Sequence, residues 1–260
     1  MVDVNYGRHR PHQVVSLRRL GELRGWRVET GDDGDEVVLG AATTYTALLG
    51  DELSALVPAL AQAARTVGSP QIRNTGTIGG NLATGSPAGD TLPVLVAHGA
   101  RVELASAGGR RTLPVADLLV GPKLTALAPG ELITAVRVPT VRGPGEFLKL
   151  GVRNAMVIAV ASCAVVVDTD RRTVRCALGS VGPVPVTAPE VDAWVATQLD
   201  WDGRRAPEPS VAAEFGRRMA AASRPIDDHR ATADYRRHAV GVMAQRALAR
   251  VWAPARAEAA

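Results

Sequence analysis

The chain has 260 residues, 46% apolar and 22% charged, and its 30 basic and 26 acidic residues leave a formal charge of +4. This composition supports a buried core and excludes a disordered tail, and no stretch reaches the ~20 apolar residues of a membrane-spanning helix. Because the only cysteines, Cys163 and Cys176, form no CxxC pair, a cysteine-ligated iron–sulfur cluster or structural zinc in this chain is excluded, and the cytoplasm is the expected location.

The first quarter of the chain predicts short strands followed by short helices. Residues 13–20 favour a strand and a turn, and the β-branched run at 36–42 favours a second strand. Leucines at helical spacing between residues 43 and 66 predict two short helices that break near Gly50.

Residues 71–90 have a different character, because five of these 20 positions are glycine. A stretch so rich in glycine predicts a structured loop system. A short helix over 91–99 should follow it, with Asp90 as the cap at its start and Gly99 as the cap at its end.

The rest of the chain alternates strands and helices around one linker. A hairpin is expected around Gly108 and Gly109, then a strand over 131–139 and a linker over 140–145. Beyond the linker, three strands and three helices are predicted: strands over 146–151, 156–168 and 173–181, and helices over about 188–198, 208–222 and 232–252. The predicted class is therefore α+β, with an α/β part over residues 1–143 and an antiparallel three-stranded sheet with helices over residues 144–260.

The glycine pair at positions 79 and 80 is the most informative chemical feature. Adjacent residues without a Cβ let the backbone bring its N–H groups against a ligand, and such groups suit phosphate oxygens. Thr77 and Asn81 add polar side chains, and the Asp90 carboxylate can accept hydrogen bonds from the hydroxyls of a ribose. These residues indicate a nucleotide-containing cofactor, although a glycine-rich turn without a ligand remains open. The pattern is not GxGxxG, so a Rossmann dinucleotide site fits poorly.

The segment 71–90, QIRNTGTIGGNLATGSPAGD, resembles the second flavin-binding signature in the FAD subunit of molybdenum hydroxylases, the family of xanthine dehydrogenase and carbon monoxide dehydrogenase. The resemblance continues, in order, along the chain: LGAATTYTALL at 39–49, GELITAVRVP at 130–139, EFLKLGVRNAMVIAVAS at 146–162 and RPIDDHRATADYRRHAVGVMAQRAL at 224–248. It implies an FAD-binding domain followed by the family's C-terminal domain.

The resemblance also implies which residues hold the cofactor. Five consecutive residues would line the diphosphate and ribityl part of FAD: Thr77, Ile78, Gly79, Gly80 and Asn81. Asp90 would hold hydroxyls of the cofactor, and Ile133 would pack near the isoalloxazine ring. Lys149 would lie near the ring and stabilise negative charge on the reduced flavin.

In such a complex the substrate is oxidised at a molybdopterin centre on a large subunit, and electrons pass through two [2Fe–2S] clusters on a small subunit. The flavin then passes them to NAD⁺ or another acceptor, so this chain would be an oxidoreductase subunit that is active only within the complex. It needs no acid–base residues and no metal ligands of its own, and its histidines and serines show no spacing typical of a metal site or a hydrolase.

One departure from the family pattern concerns the beginning of the chain. The family carries a first flavin-binding loop of the AGGT-D-L type, and residues 1–20 resemble the region directly after it. Three explanations are open: a misassigned start codon at Met1, a truncated gene fragment, or a subunit that has lost flavin and kept a role in assembly. We expect the first, with the loop encoded upstream and in frame.

Two other functions compete with electron transfer. The first is a flavin-free assembly subunit of the same complex. The second is nucleic-acid binding through residues 204–260, which carry 11 arginines and 6 acidic residues. Because acidic residues interleave with these arginines and no aromatic stacking platform accompanies them, a solvated helix face is the expected reading and a nucleic-acid partner is not expected.

Overall fold

The computed structural model describes residues 10–31, 34–203 and 205–252. Its first sheet has five strands in the order β1-β2-β7-β3-β4, and each pairing is antiparallel. The strands are β1 (Trp26–Gly31), β2 (Gly34–Gly40), β3 (Arg101–Ser106), β4 (Gly109–Pro114) and β7 (Leu132–Pro139). Helices lie between β2 and β3, so the first part of the chain itself combines an antiparallel sheet with segregated helices.

The second sheet has four strands in the order β11-β10-β9-β8, again antiparallel. They are β8 (Gly145–Leu150), β9 (Ala161–Asp168), β10 (Thr173–Gly179) and β11 (Val186–Thr187). The two-residue β11 adds an edge to the three strands expected from the sequence. A separate small ribbon joins β5 (Leu119–Gly121) to β6 (Leu124–Thr125).

Nine α-helices lie within the described ranges. They are α1 (Asp51–Leu56), α2 (Pro58–Arg65), α3 (Pro70–Thr75), α4 (Ile78–Thr84), α5 (Thr91–Ala97), α6 (Val115–Leu118), α7 (Pro189–Ala196), α8 (Pro209–Ala222) and α9 (Ala233–Trp252). Two 3₁₀ turns, Gly21–Leu23 and Ala47–Leu49, complete the regular structure. No helix among these is long and apolar enough to cross a membrane.

Strand β9 separates the two hydrophobic cores. All eight of its residues are buried, because α5 and α2 contact it on one side and α9 covers the other. Ala164 and Val166 belong to the core shared with the first sheet, whereas Cys163 and Val165 belong to the core under the C-terminal helices. The second sheet therefore contributes side chains to both hydrophobic cores.

Most predicted elements are confirmed, including the hairpin at Gly108 and Gly109, the strand ending at Pro139 and the three C-terminal helices. The predicted strand at 13–20 is wrong: Val14 and Val15 are 62% and 74% exposed, so no packing partner holds them in a sheet. Strand β1 was not expected from the sequence. The helical stretch 43–66 breaks at Gly50 as predicted and again at Val57.

Candidate functional site

Residues 71–84 of the glycine-rich segment are mostly helical, which corrects the loop expected from their composition, and residues 85–90 are non-helical as expected. The segment forms α3 and α4, and Thr77 is the cap between them, its Oγ1 accepting the Gly80 N–H at 3.1 Å. The pair Gly79–Gly80 lies inside α4, and neither residue has a positive φ. The left-handed residue is Gly85, at φ +55°, which ends the helix.

The two adjacent glycines have different roles. A Cβ on Gly79 would lie 2.7 Å from the carbonyl oxygen of Ala41, so a side chain there would separate α4 from the end of β2. Gly80 is exposed, and a Cβ there would meet only the Thr77 hydroxyl oxygen, at 3.0 Å. Packing against Ala41 therefore accounts for the glycine at position 79. Gly80, by contrast, leaves a patch of exposed backbone without a side chain.

The first-turn N–H groups of α4 already have acceptors within the protein. The donors of residues 78–81 reach, in order, Thr43 O at 3.0 Å, Ala41 O at 2.9 Å, Thr77 Oγ1 at 3.1 Å and Thr77 O at 3.0 Å. The expectation that they are free to hold phosphate oxygens is therefore wrong. A ligand at this helix would meet the surface of Gly80 and the side chains of its neighbours.

Asn81 links α4 to the next helix. Its Oδ1 accepts the hydroxyl hydrogen of Thr91 at 2.6 Å, and Thr91 is the first residue of α5. This bond ties α4 to the start of α5, one residue after Asp90.

Asp90 forms a buried ion pair with Lys149 of β8. The Lys149 Nζ lies 2.5 Å from Asp90 Oδ2, and the two side chains are only 8% and 6% exposed. The same Oδ2 accepts a hydrogen bond from the hydroxyl of Thr66 at 3.1 Å. Asp90 does not cap α5 with its side chain, contrary to the expectation, because the carboxylate is turned toward Lys149 and Thr66.

Burial dominates the electrostatics of this pair. It raises the pKa of Asp90 above its ordinary value, and the nearby Lys149 and the Thr66 hydroxyl only partly oppose it. The pKa of Tyr45 is also raised, first by burial and then by the negative charge of Asp90. The other carboxylate oxygen, Asp90 Oδ1, is buried without a hydrogen-bond partner among the described residues.

The ammonium group of Lys149 is held at the C-terminal end of α2. Its Nζ also donates to the carbonyl oxygen of Thr66 at 3.1 Å, and Thr66 is the C-terminal cap of α2. A cation at this end is favoured by the partial negative charge of the last helical carbonyls. An ammonium has three hydrogens, so two are used here and one remains to donate.

Ile133 lies in β7, buried in the same core as Ile78, and α4 packs against that strand. The structure thus connects seven of the eight predicted site residues through α4, the Asn81–Thr91 bond and the Asp90–Lys149 pair, and places the eighth, Ile133, in the strand that supports α4. Thr66 and Thr91 were missed, because nothing in the sequence around them forms a motif.

Several arginines in the basic C-terminal part of the chain form ion pairs with acidic residues. Arg217 and Arg218 both pair with Glu214, and Arg230 and Arg236 both pair with Asp228. Pairs of this kind reduce the positive potential that a duplex would meet.

Two family models match the chain. Residues 1–141 match the FAD binding domain in molybdopterin dehydrogenase, and residues 146–251 match the CO dehydrogenase flavoprotein C-terminal domain. The match to the first model ends between β7 and β8, and the second begins within β8.

Relatives and solved structures agree with these matches. The carbon monoxide dehydrogenase medium chain of Afipia carboxidovorans is 36% identical over 95% of this chain and 83% of its own length. The glyceraldehyde dehydrogenase medium chain of Sulfolobus acidocaldarius is 33% identical over 93% and 83%. A carbon monoxide dehydrogenase structure from Hydrogenophaga pseudoflava superposes with a TM-score of 0.84 and 31% identity over 97% of this chain and 86% of that one.

Proposed function

Because the chain belongs to the family of FAD-binding medium subunits of molybdenum hydroxylases, we propose that it binds FAD through the glycine segment of α4 and the Asp90–Lys149 pair. The other cofactors of such a complex, molybdopterin and [2Fe–2S] clusters, belong to a large and a small partner subunit rather than to this chain. Its function is electron transfer within an oxidoreductase complex.

The described residues fit a flavin nucleotide. The observation that carries the proposal is Asp90 Oδ1, a buried acceptor without a donor, next to an ammonium that has one hydrogen unused. A polyhydroxylated chain can donate to such an oxygen, and an electron-rich ring can accept from such an ammonium. The bare, exposed surface of Gly80 admits close approach of the nucleotide.

Each residue has a distinct part in holding the cofactor. The hydroxyl of Thr77 accepts from Gly80 and so keeps its own hydrogen to donate, and the amide of Asn81 can donate in addition to the bond it accepts from Thr91. Gly79 keeps α4 close to β2, Ile78 anchors the helix in the core, and Ile133 supports it from β7 near the ring.

The flavin supplies the redox chemistry when bound, and the protein supplies binding, orientation and charge. Lys149 would hold positive charge where negative charge develops on reduction, at a place with little water to screen it. Asp90 and Thr66 keep the ammonium in place. No proton-transfer pair is required of this chain.

The test is to purify the complex with its large and small partner subunits and record its visible absorption. We expect flavin bands that bleach on reduction and one FAD released per chain on denaturation. A complex that assembles without flavin would contradict the proposal and favour the assembly-only role.

A pair of matched variants then locates the site. Gly80→Gln places a side chain on the surface where the nucleotide approaches, and we expect FAD binding to weaken about tenfold or more. Ala213→Gln, at an exposed position of the distant helix α8, serves as the control and should bind FAD normally. Equal FAD affinity in both variants would exclude Gly80 from the site.

We further propose that the flavin passes its electrons to NAD⁺ or to another acceptor, and NAD⁺ is the acceptor to test first. Mixing the dithionite-reduced complex with NAD⁺ should produce NADH at the rate of flavin reoxidation. Flavin that stays reduced under NAD⁺ but is oxidised by oxygen or a dye would exclude it.

Two coarser features belong to the same proposal. We place the boundary between the two parts of the chain at residues 143 and 144, in the irregular stretch between β7 and β8, which lies between the two family matches. We also propose a cytoplasmic location, which the free thiols of Cys163 and Cys176 support: their sulfurs lie 3.7 Å apart, at hydrogen-bond distance, and form no disulfide.

A further inference from the structure

Thr66 touches both members of the buried ion pair. Its carbonyl oxygen accepts from Lys149 Nζ at 3.1 Å, and its hydroxyl lies 3.1 Å from Asp90 Oδ2. Thr66 lies 83 positions from Lys149 and 24 from Asp90 in the sequence. It ends α2, which lies outside the flavin-binding signature at residues 71–90. Its polar atoms connect α2 to the start of α5 and to β8.

The hydroxyl of Thr66 has two acceptors and one hydrogen. Besides Asp90 Oδ2, it lies 2.8 Å from the carbonyl oxygen of Ala63 in the preceding turn. When Asp90 is ionised, the bond to the carboxylate is charge-assisted and stronger than the bond to the neutral carbonyl. The hydroxyl therefore favours the ionised form of the carboxylate, against the larger effect of burial, and contributes to its orientation.

The backbone carbonyl of Thr66 has a complementary effect on Lys149. A lysine ammonium is a point charge on a flexible stem, so its position depends on the acceptors that surround it. Two acceptors on two of the three ammonium hydrogens fix where the third one points, because the three are tetrahedrally arranged.

We propose that Thr66 is a positioning residue for the flavin: its carbonyl and its hydroxyl hold the Lys149 ammonium and the Asp90 carboxylate in the one arrangement that presents a positive charge to the reduced cofactor. This inference rests on the proposed FAD site and adds to it a residue on a third element. It gives Thr66 a role in setting the midpoint potential of the flavin, beyond ending a helix.

The structure supplies a matched control for the helix-ending role. Thr197 is the C-terminal cap of α7, and its hydroxyl donates to the carbonyl of Trp194, three residues earlier, at 2.7 Å. Thr66 has the same position and the same local bond, but only Thr66 reaches an ion pair. A purely local effect should therefore be equal in both.

The experiment measures the flavin midpoint potential and the FAD dissociation constant in the assembled complex for Thr66→Val, Thr66→Ser and Thr197→Val. We expect Thr66→Val to weaken FAD binding about tenfold. We also expect a potential lower by about 30 mV, the equivalent of a tenfold weaker preference for the two-electron-reduced form. Thr66→Ser should restore both values, and Thr197→Val should leave both unchanged.

Unchanged potential and affinity in Thr66→Val, or equal shifts in Thr66→Val and Thr66→Ser, would overturn the inference while leaving the FAD site intact. A wild-type complex without flavin would instead overturn the proposed function and this inference with it. Should Thr66→Val fail to assemble, Thr66→Ala against Thr66→Ser isolates the hydroxyl, and equal values in that pair count against the role.

Discussion

Two ion clusters in this molecule are built from similar charges but in opposite settings. Asp90 and Lys149 form a single pair, with side chains 6% and 8% exposed, between α5 and β8. Arg137 lies on the first sheet, 19% exposed, and contacts three glutamates on neighbouring strands: Glu29 of β1, Glu36 of β2 and Glu103 of β3. One cluster is inside the protein and the other is in contact with water.

The two settings shift the pKa values of their carboxyl groups in opposite directions. In the surface cluster the pKa of Glu29 is lowered, mainly by its hydrogen bond to Arg137 and then by Arg27. In the interior the pKa of Asp90 is raised, because the cost of burying its charge exceeds the stabilisation by Lys149. A buried pair of this kind is a weak source of stability.

The largest expected effect comes from removing the buried cation. Lys149→Met leaves the Asp90 carboxylate buried without its partner, and we expect the free energy of unfolding to fall by about 3–5 kcal/mol near neutral pH. Denaturant titration measures it. Lys123→Met, at the only other lysine and an exposed position, is the control and should change stability little. If Lys149→Met and Lys123→Met are equally stable, the loss of Lys149 does not carry the predicted cost of burying an unpaired Asp90 carboxylate.

Removing both charges should restore much of that loss. In the double variant Asp90→Asn with Lys149→Met no unpaired charge stays buried, so we expect at least about 2 kcal/mol to return relative to Lys149→Met alone. The same titration checks it, and a double variant no more stable than the single one would count against the pair as the cause. FAD binding should not return, because neither partner of the cofactor is restored.

The defect of Lys149→Met should depend on pH. A buried carboxyl with a raised pKa binds its proton more tightly in the folded than in the unfolded chain, so its ionisation costs stability as pH rises above the unfolded value. Removing Lys149 raises this pKa further. We therefore expect the stability deficit to shrink by about 1 kcal/mol or more when the pH is lowered from about 8 to about 5. A deficit that is constant with pH would indicate that Asp90 stays in one charge state.

The surface cluster should give the smallest effect, and one that salt can remove. Arg137→Gln is expected to cost about 1 kcal/mol at low ionic strength, because it leaves three glutamates without their shared cation. In about 1 M salt the difference from wild type should largely vanish, whereas the Lys149→Met deficit should persist, since buried charges are screened much less. Equal salt sensitivity in both variants would remove the distinction drawn between the clusters.

The glycine segment shows how far residue patterns lead. Its residues identify the family and the cofactor, and both conclusions are confirmed by the family matches and relatives. The loop predicted for its residues 71–84 was wrong, because glycine content favours loops unless tertiary contacts override that preference. Gly79 is helical here since α4 packs on Ala41, a contact that spans 38 positions.

The sequence by itself determined the class of fold, the order of most strands and helices, and the family to which the chain belongs, because these depend on periodicity and on short motifs. Only the tertiary structure decided that Asp90 and Lys149, 59 positions apart, form a buried pair, and that Thr66 holds both. The reason is physical: the cost of burying a charge and the bonds that offset it depend on which groups the fold brings together, and no local pattern records that.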